Sequence, residues 1–277
     1  MKIQINDIIG PWKVHKIINV VNDRFIIDVT VDKIFNDELI DILDINKIWT
    51  MKINSYSDDE ILNIKNYELN KCKYSMKYPN DDRYFYGKIY NYWWFVMEKY
   101  DSDCNNLLYI NYKLFLEGVI NFLRYIHREK KIVHGDLKSK NILHNKNKYV
   151  VCDFESLKPP NKIDICNGNH YSDYYYYVYG CEYNQYIFSY RNDLQAICFA
   201  LWVIIRYNKY MYYQEIGFEC YNCRINENKM QNLELLRSQE IMPPLIQKFY
   251  DIISIIKWDQ EEPPNNELYD NLINILI

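Results

Sequence analysis

Two apolar, β-branched runs open the chain, Trp12 to Val20 and Arg24 to Val31, separated by Val21-Asn22-Asp23, which suits a hairpin turn. Ile48-Trp49-Thr50-Met51-Lys52-Ile53 reads as a third strand and Trp93-Trp94-Phe95-Val96-Met97 as a buried one, with a helix expected between them from about Asp58 to Lys73. Beyond Tyr100 the pattern turns helical. Leu114, Phe115, Phe122, Leu123 and Ile126 recur at three- and four-residue steps over Tyr112 to His127. Ile142-Leu143 and Tyr149-Val150-Val151-Cys152 suit two short strands. Ala196 to Arg206 is apolar on every side, as in a helix buried in a core. Pro243-Pro244 opens an amphipathic helix through Ile256, since proline is tolerated in a first turn, and Glu267 to Leu276 forms the last element. No internal repeat or flexible linker interrupts this order.

Composition narrows the class. A chain of 277 residues is long enough for one large domain or two lobes with real cores. A net charge of −4 argues against general nucleic-acid affinity. The longest apolar stretch, Ala196 to Ile205, falls far short of the roughly 18 residues of a membrane helix. The N-terminus has no apolar signal region, so a soluble, intracellular protein is expected. Eight irregularly spaced cysteines then read mostly as reduced, partly buried thiols. Cys220-x-x-Cys223 offers half a zinc site, with no second Cys or His pair at a suitable distance. The 29 tyrosines, with heavy use of Ile, Asn and Lys, follow A+T-rich codons and fit a large DNA virus or an A+T-rich microbe.

The candidate chemistry lies in His134-Gly135-Asp136-Leu137-Lys138-Ser139-Lys140-Asn141, followed twelve residues after Asn141 by Asp153-Phe154-Glu155. Phosphoryl transfer needs a carboxylate to orient a hydroxyl and take its proton, a cation beside the γ-phosphoryl, and oxygen ligands for Mg²⁺. Asp136, Lys138, and the pair Asn141 and Asp153 fill those roles in order.

These motifs resemble a eukaryotic-type protein kinase, and within it the casein kinase 1 and vaccinia-related kinase group, where a glycine follows the catalytic histidine as Gly135 does. Ser189-Tyr190-Arg191-Asn192-Asp193-Leu194-Gln195 is similar to that group's entry to the long buried helix of the large lobe. The resemblance, running from about Trp12 onward, implies an α+β, bilobal fold: a small β-rich N-lobe over residues 1–97, a hinge at 98–100, and a larger, mainly helical C-lobe over 101–277. It implies ATP and Mg²⁺ as cofactors and a protein substrate. It gives Lys52 the α- and β-phosphates and casts Met97 as gatekeeper. Glu98-Lys99-Tyr100 becomes the hinge whose backbone meets adenine. Asp193 becomes the anchor of the catalytic-loop backbone. The glutamate partner of Lys52 is Glu60 or Glu68, and Glu68, followed by Leu69, better resembles the pattern.

Three features depart from the family. No glycine falls between Gly10 and Gly87, so the phosphate-cradling glycine loop is absent, and Asn19-Val20-Val21-Asn22-Asp23-Arg24 stands in its place. Glu155 replaces the glycine after Asp153-Phe154. The Ser156 to Ser189 segment lacks an Ala-Pro-Glu element and has Cys181 in Gly180-Cys181-Glu182-Tyr183 where a threonine is expected, and nine tyrosines lie from Tyr171 through Tyr190. Gly135 also removes the arginine that ordinarily pairs with an activating phosphate. Three readings follow: an active Ser/Thr protein kinase, a pseudokinase that binds a host or sister kinase, and a small-molecule kinase. The last is suggested by His-Gly-Asp-Leu but opposed by Lys138 and the Asp193 helix entry.

Overall fold

The structure, a computed structural model, describes residues 2–21, 24–31, 47–54, 57–104, 110–145, 148–161, 163–165, 185–207, 243–257 and 260–276. Gly180-Cys181-Glu182-Tyr183, most of the tyrosine-rich 171–190 segment and the Cys220-x-x-Cys223 pair lie outside the described residues. The chain divides into two compact units, Met1–Tyr100 and Asp101–Ile277. The first is dominated by one sheet and the second by helices, an α+β composition. Among the described residues no helix is long and apolar enough to cross a membrane.

The first unit is built on β1 (Ile8–Ile9), β2 (Trp12–Val21), β3 (Arg24–Val31), β4 (Trp49–Asn54), β5 (Tyr86–Ile89) and β6 (Tyr92–Glu98). All neighbours are antiparallel, in the order β1-β2-β3-β4-β6-β5. Alternation puts Trp12, Val14, Ile27, Val29, Met51, Ile53 and Val96 into a single core. Two register irregularities, between Val14 and Lys16 and between Ile17 and Asn19, distort β2 while its far end still pairs Val21 with Arg24.

The helix α1 (Asp59–Asn66) ends well before Lys73, correcting the longer helix expected from sequence. On a continuous helix Leu69 would stand about 140° around the axis from Ile64, off the buried stripe. Instead Glu68 takes a left-handed backbone (φ 51°), a 3₁₀ turn follows at Leu69–Lys71, and Leu69 is fully buried. A short α2 (Asp82–Phe85) precedes β5.

In the second unit, α3 (Tyr112–Arg124) starts where the Asn111 side chain accepts the Leu114 N–H at 3.2 Å. Its stripe of Phe115, Leu116, Val119, Ile120, Phe122 and Leu123 is buried, and a π-helical turn continues it over Tyr125–Glu129. Strands β7 (Ser102–Asp103), β8 (Ile142–Asn145) and β9 (Lys148–Val151) form a small antiparallel sheet. A separate pair joins β10 (Ile163–Ile165) and β11 (Gln185–Ile187). Then come α4 (Tyr190–Tyr207), α5 (Pro244–Ser254) and α6 (Asn266–Ile273). Arg191 at the start of α4 donates to the carbonyl of Ile256 beyond α5 at 2.8 Å.

Helix α3 lies against β9 at Gly118, where a Cβ would collide with the Tyr149 carbonyl oxygen and stand 3.1 Å from its carbon. Tyr149 is held on its other side as well, its hydroxyl accepting the Asn111 N–H at 3.2 Å. Helix propensity alone favours Gly118→Ala by about 1 kcal/mol. The collision is with backbone, which yields only by moving a strand, at about 1–3 kcal/mol. Gly118→Ala is therefore expected to lower the thermal midpoint, and a raised midpoint would show that β9 shifts freely.

Candidate functional site

The His134–Asn141 loop leaves Val133, which is bridged both ways to Lys158, with N–H to O distances of 2.8 and 3.1 Å. His134 is wholly buried. Its Nε2 donates to the Cys152 carbonyl at 3.1 Å, and its Nδ1 accepts the Asp136 N–H at 3.4 Å. The ring packs edge-on to Phe122 and Phe154. The histidine thus ties the loop to the strand end that carries Asp153.

Asp136, Lys138 and Asn141 come together directly. One Asp136 carboxylate oxygen accepts from Lys138 Nζ at 2.9 Å and from Asn141 Nδ2 at 3.2 Å. The same amide nitrogen donates to the Asp136 backbone carbonyl at 2.8 Å. Lys138 is extended, and a 3₁₀ turn at Ser139–Asn141 swings the amide back onto the aspartate. With its nitrogen committed, the Asn141 amide offers its oxygen as a cation ligand. Asp153 joins through its neighbour, since the Cys152 N–H donates to the Asn141 carbonyl at 3.0 Å.

Asp153 itself is left-handed (φ 66°), a conformation that aspartate tolerates better than most residues. Phe154 is buried and stacks on Phe122 with ring centroids 5.7 Å apart. Glu155 lies inside the 3₁₀ turn Phe154–Ser156, and the positive φ in this segment falls on Asp153. Position 155 therefore makes no demand for glycine in this conformation.

The loop's backbone is fixed from a distance. Asp193, in the first turn of α4 and 2% exposed, accepts the His134 N–H at 2.6 Å and the Gly135 N–H at 3.0 Å, one on each oxygen. This is the anchoring geometry expected from the resemblance. A buried carboxylate is stabilised by charge-assisted bonds of this kind.

In the first unit, Lys52 faces Phe95 across the β4–β6 ladder, with its Nζ 5.9 Å from that ring. Its Nζ donates to Glu60 Oε2 at 2.6 Å, and both side chains are largely buried. This corrects the preference for Glu68 as partner. Glu68 lies past the end of α1 and pairs with Lys71. The physical reason is the early helix end: Glu60, in the first turn, faces the sheet, while Glu68 is turned outward by its left-handed backbone.

Met97 pairs with Thr50 and Glu98 with Trp49 across the ladder. Side chains tether the expected hinge: Glu98 Oε1 to Lys47 at 3.1 Å, Glu98 Oε2 to the Tyr100 hydroxyl at 3.3 Å, and Lys99 to Asp28 at 2.6 Å. The Glu98 N–H donates to the Lys77 carbonyl at 2.6 Å. At the turn replacing the glycine loop, Val20 and Arg24 are exposed, and Asn22 and Asp23 lie outside the described residues.

Oxygen donors from an amide and a carboxylate suit Mg²⁺, which keeps much of its shell for phosphate and water. Among the described residues no group of three or more His, Cys, Asp or Glu side chains is placed to hold a metal ion. Sequence reasoning passed over His127, whose Nε2 lies 3.0 Å from Asp193. A lone histidine at the end of an amphipathic helix carries no local signal of such a contact.

Gly135 explains the loop's glycine physically. Its φ is +78°, and a Cβ there would collide with the Phe188 ring and stand 3.1 Å from the Ser156 carbonyl. Gly135→Ala is expected to cost at least about 2 kcal/mol, from strain and displaced packing together. A urea midpoint unchanged from wild type would refute this.

No family model matches the chain. A segment of 75 residues, 26% of this chain, is 40% identical to a protein of Acanthamoeba polyphaga mimivirus named "Putative serine/threonine-protein kinase". The match spans 14% of that relative's own length. Over that segment the chain has a kinase-like relationship to a viral protein.

Proposed function

We propose that this chain is an ATP- and Mg²⁺-dependent protein kinase of the serine/threonine type, with a bilobal kinase fold and a protein hydroxyl as acceptor. The observation that carries the reading is the Asp136–Lys138–Asn141 cluster, hydrogen-bonded within one loop whose backbone hangs on Asp193. In this reading Asp136 orients the acceptor hydroxyl and takes its proton as the new P–O bond forms. Lys138, already beside that carboxylate, shields charge on the phosphoryl in transit. The Asn141 amide oxygen and the Asp153 carboxylate hold Mg²⁺, which when bound neutralises charge on the phosphate oxygens. Lys52, oriented by Glu60, contacts the α- and β-phosphates, and the Glu98–Tyr100 backbone meets adenine next to Met97.

A second reading has its own support. Val20 and Val21 stand where glycines would let backbone approach phosphate, and Val21 is still paired to Arg24. A pseudokinase that binds a host or sister kinase fits that feature. The active reading is favoured because each polar group the chemistry uses is present. Losing loop glycines weakens nucleotide positioning, whereas losing Asp136 or Asp153 would remove groups that act on the reaction itself.

Purified protein is expected to transfer labelled phosphate from ATP to itself or to casein, and Asp136→Ala should reduce the rate at least about 100-fold. Wild type inactive with both Mg²⁺ and Mn²⁺, yet thermally stabilised by ATP, would replace this reading with the pseudokinase. Glu60→Gln should lower kcat/KM for ATP roughly ten-fold or more, and Glu68→Gln less than about two-fold. Equal losses from both variants would contradict the pairing seen here.

A further inference from the structure

Helix α6 and the segment leading into it are held to the end of α3 and the turn after it by several contacts. Arg124 pairs with Asp270, Lys131 with Glu262 at 2.9 Å, and Arg128 donates to the Pro264 carbonyl at 2.7 Å. The two ion pairs are at least partly exposed, where such pairs contribute little. A further contact is different. The Tyr269 hydroxyl lies 2.8 Å from His127 Nδ1, and both side chains are wholly buried. The other nitrogen of that imidazole, Nε2, lies 3.0 Å from Asp193 Oδ2, the same oxygen that accepts the His134 N–H.

Donor and acceptor roles follow from the chemistry. A carboxylate only accepts, so Nε2 supplies the proton on the Asp193 side. In the neutral ring Nδ1 is then an acceptor, and the phenol O–H of Tyr269 is the donor that satisfies it. Losing that donor would leave Nδ1 buried without a partner and remove one of the two bonds that hold the ring in orientation.

We propose that Tyr269 is a positioning residue for the phosphoryl-transfer loop: its hydroxyl satisfies Nδ1 and holds the orientation of His127, which steadies the Asp193 carboxylate holding the His134 and Gly135 amides. Burial, reinforced by the nearby Asp193 charge, pushes the Tyr269 phenol well above its ordinary range and keeps it a donor. Tyr190 provides an internal contrast. Its ring centroid lies 4.9 Å from that of His127, but its buried hydroxyl has no hydrogen-bond partner among the described residues. The catalytic consequence rests on the kinase reading, whereas the structural consequence does not.

The test is Tyr269→Phe, which keeps the ring and removes the hydroxyl, compared with Tyr190→Phe. Amide hydrogen exchange at His134 and Gly135, read by NMR against Val150 and Val151, is expected to speed about ten-fold in Tyr269→Phe, on the order of one lost hydrogen bond. Tyr190→Phe should leave it unchanged. In phosphotransfer, Tyr269→Phe should lower kcat about five- to thirty-fold while KM for ATP stays within about two-fold. Unchanged exchange at the two amides, or the same acceleration from Tyr190→Phe, overturns the proposal. Faster exchange in a wild-type background that transfers no phosphate sustains the contact and sinks the kinase reading instead. Should Tyr269→Phe not fold, the ¹⁵N shifts of His127 in the wild-type protein decide: a proton on Nδ1 rather than Nε2 overturns it.

Discussion

A buried carboxylate on the first turn of a buried helix organises the second unit. Asp193 spends one oxygen on the Gly135 amide and the other on the His134 amide and the His127 imidazole. Taking a lone carboxylate out of water costs several kcal/mol, and donors arranged around both oxygens offset that cost. The arrangement has a geometric result. Immediately after these two amides the chain takes the left-handed conformation at Gly135, and Phe188 closes over the space where a side chain would be. Direction is thereby imposed on the next residue, Asp136, before any ligand binds.

From that point the loop is a chain of short-range constraints. His134 ties it to Cys152, Asn141 returns to Asp136, and the Cys152 N–H returns to Asn141. Phe154 secures the far end by burying its ring against Phe122. The Asn141 amide is thus held through its nitrogen alone in the bonds to Asp136. Asn141 gives up its nitrogen and keeps its oxygen, which is the division a cation ligand requires. Preorganisation of this kind limits reorganisation during a reaction.

The first unit obeys a different rule, since its lysine is fixed by sheet register rather than by a loop. Lys52 and Phe95 are opposite one another on adjacent strands, and Glu60 reaches the amine from the first turn of α1. Where α1 stops is decided by Leu69, which enters the core through a 3₁₀ turn. The hairpin that lacks glycines stays paired through Val21 and Arg24, so the sheet is complete even where backbone freedom is lowest.

Strand positions were legible because a side-chain period of two, written in β-branched and aromatic residues, is a local property. Trp12–Val21, Arg24–Val31, Trp49–Asn54 and Tyr92–Glu98 fall within a residue or so of the runs visible in the sequence. The Asp136, Lys138 and Asn141 cluster was legible for the same reason, since three roles in six residues need only a tight loop. Glu60 over Glu68 was not, because the choice depends on where a helix ends, and that was set by burial of Leu69. Nor did sequence single out His127 or Tyr269, which are separated by 142 positions. Local spacing determined which groups this protein has for chemistry; only long-range packing decided which of its many ordinary-looking polar residues hold them in place.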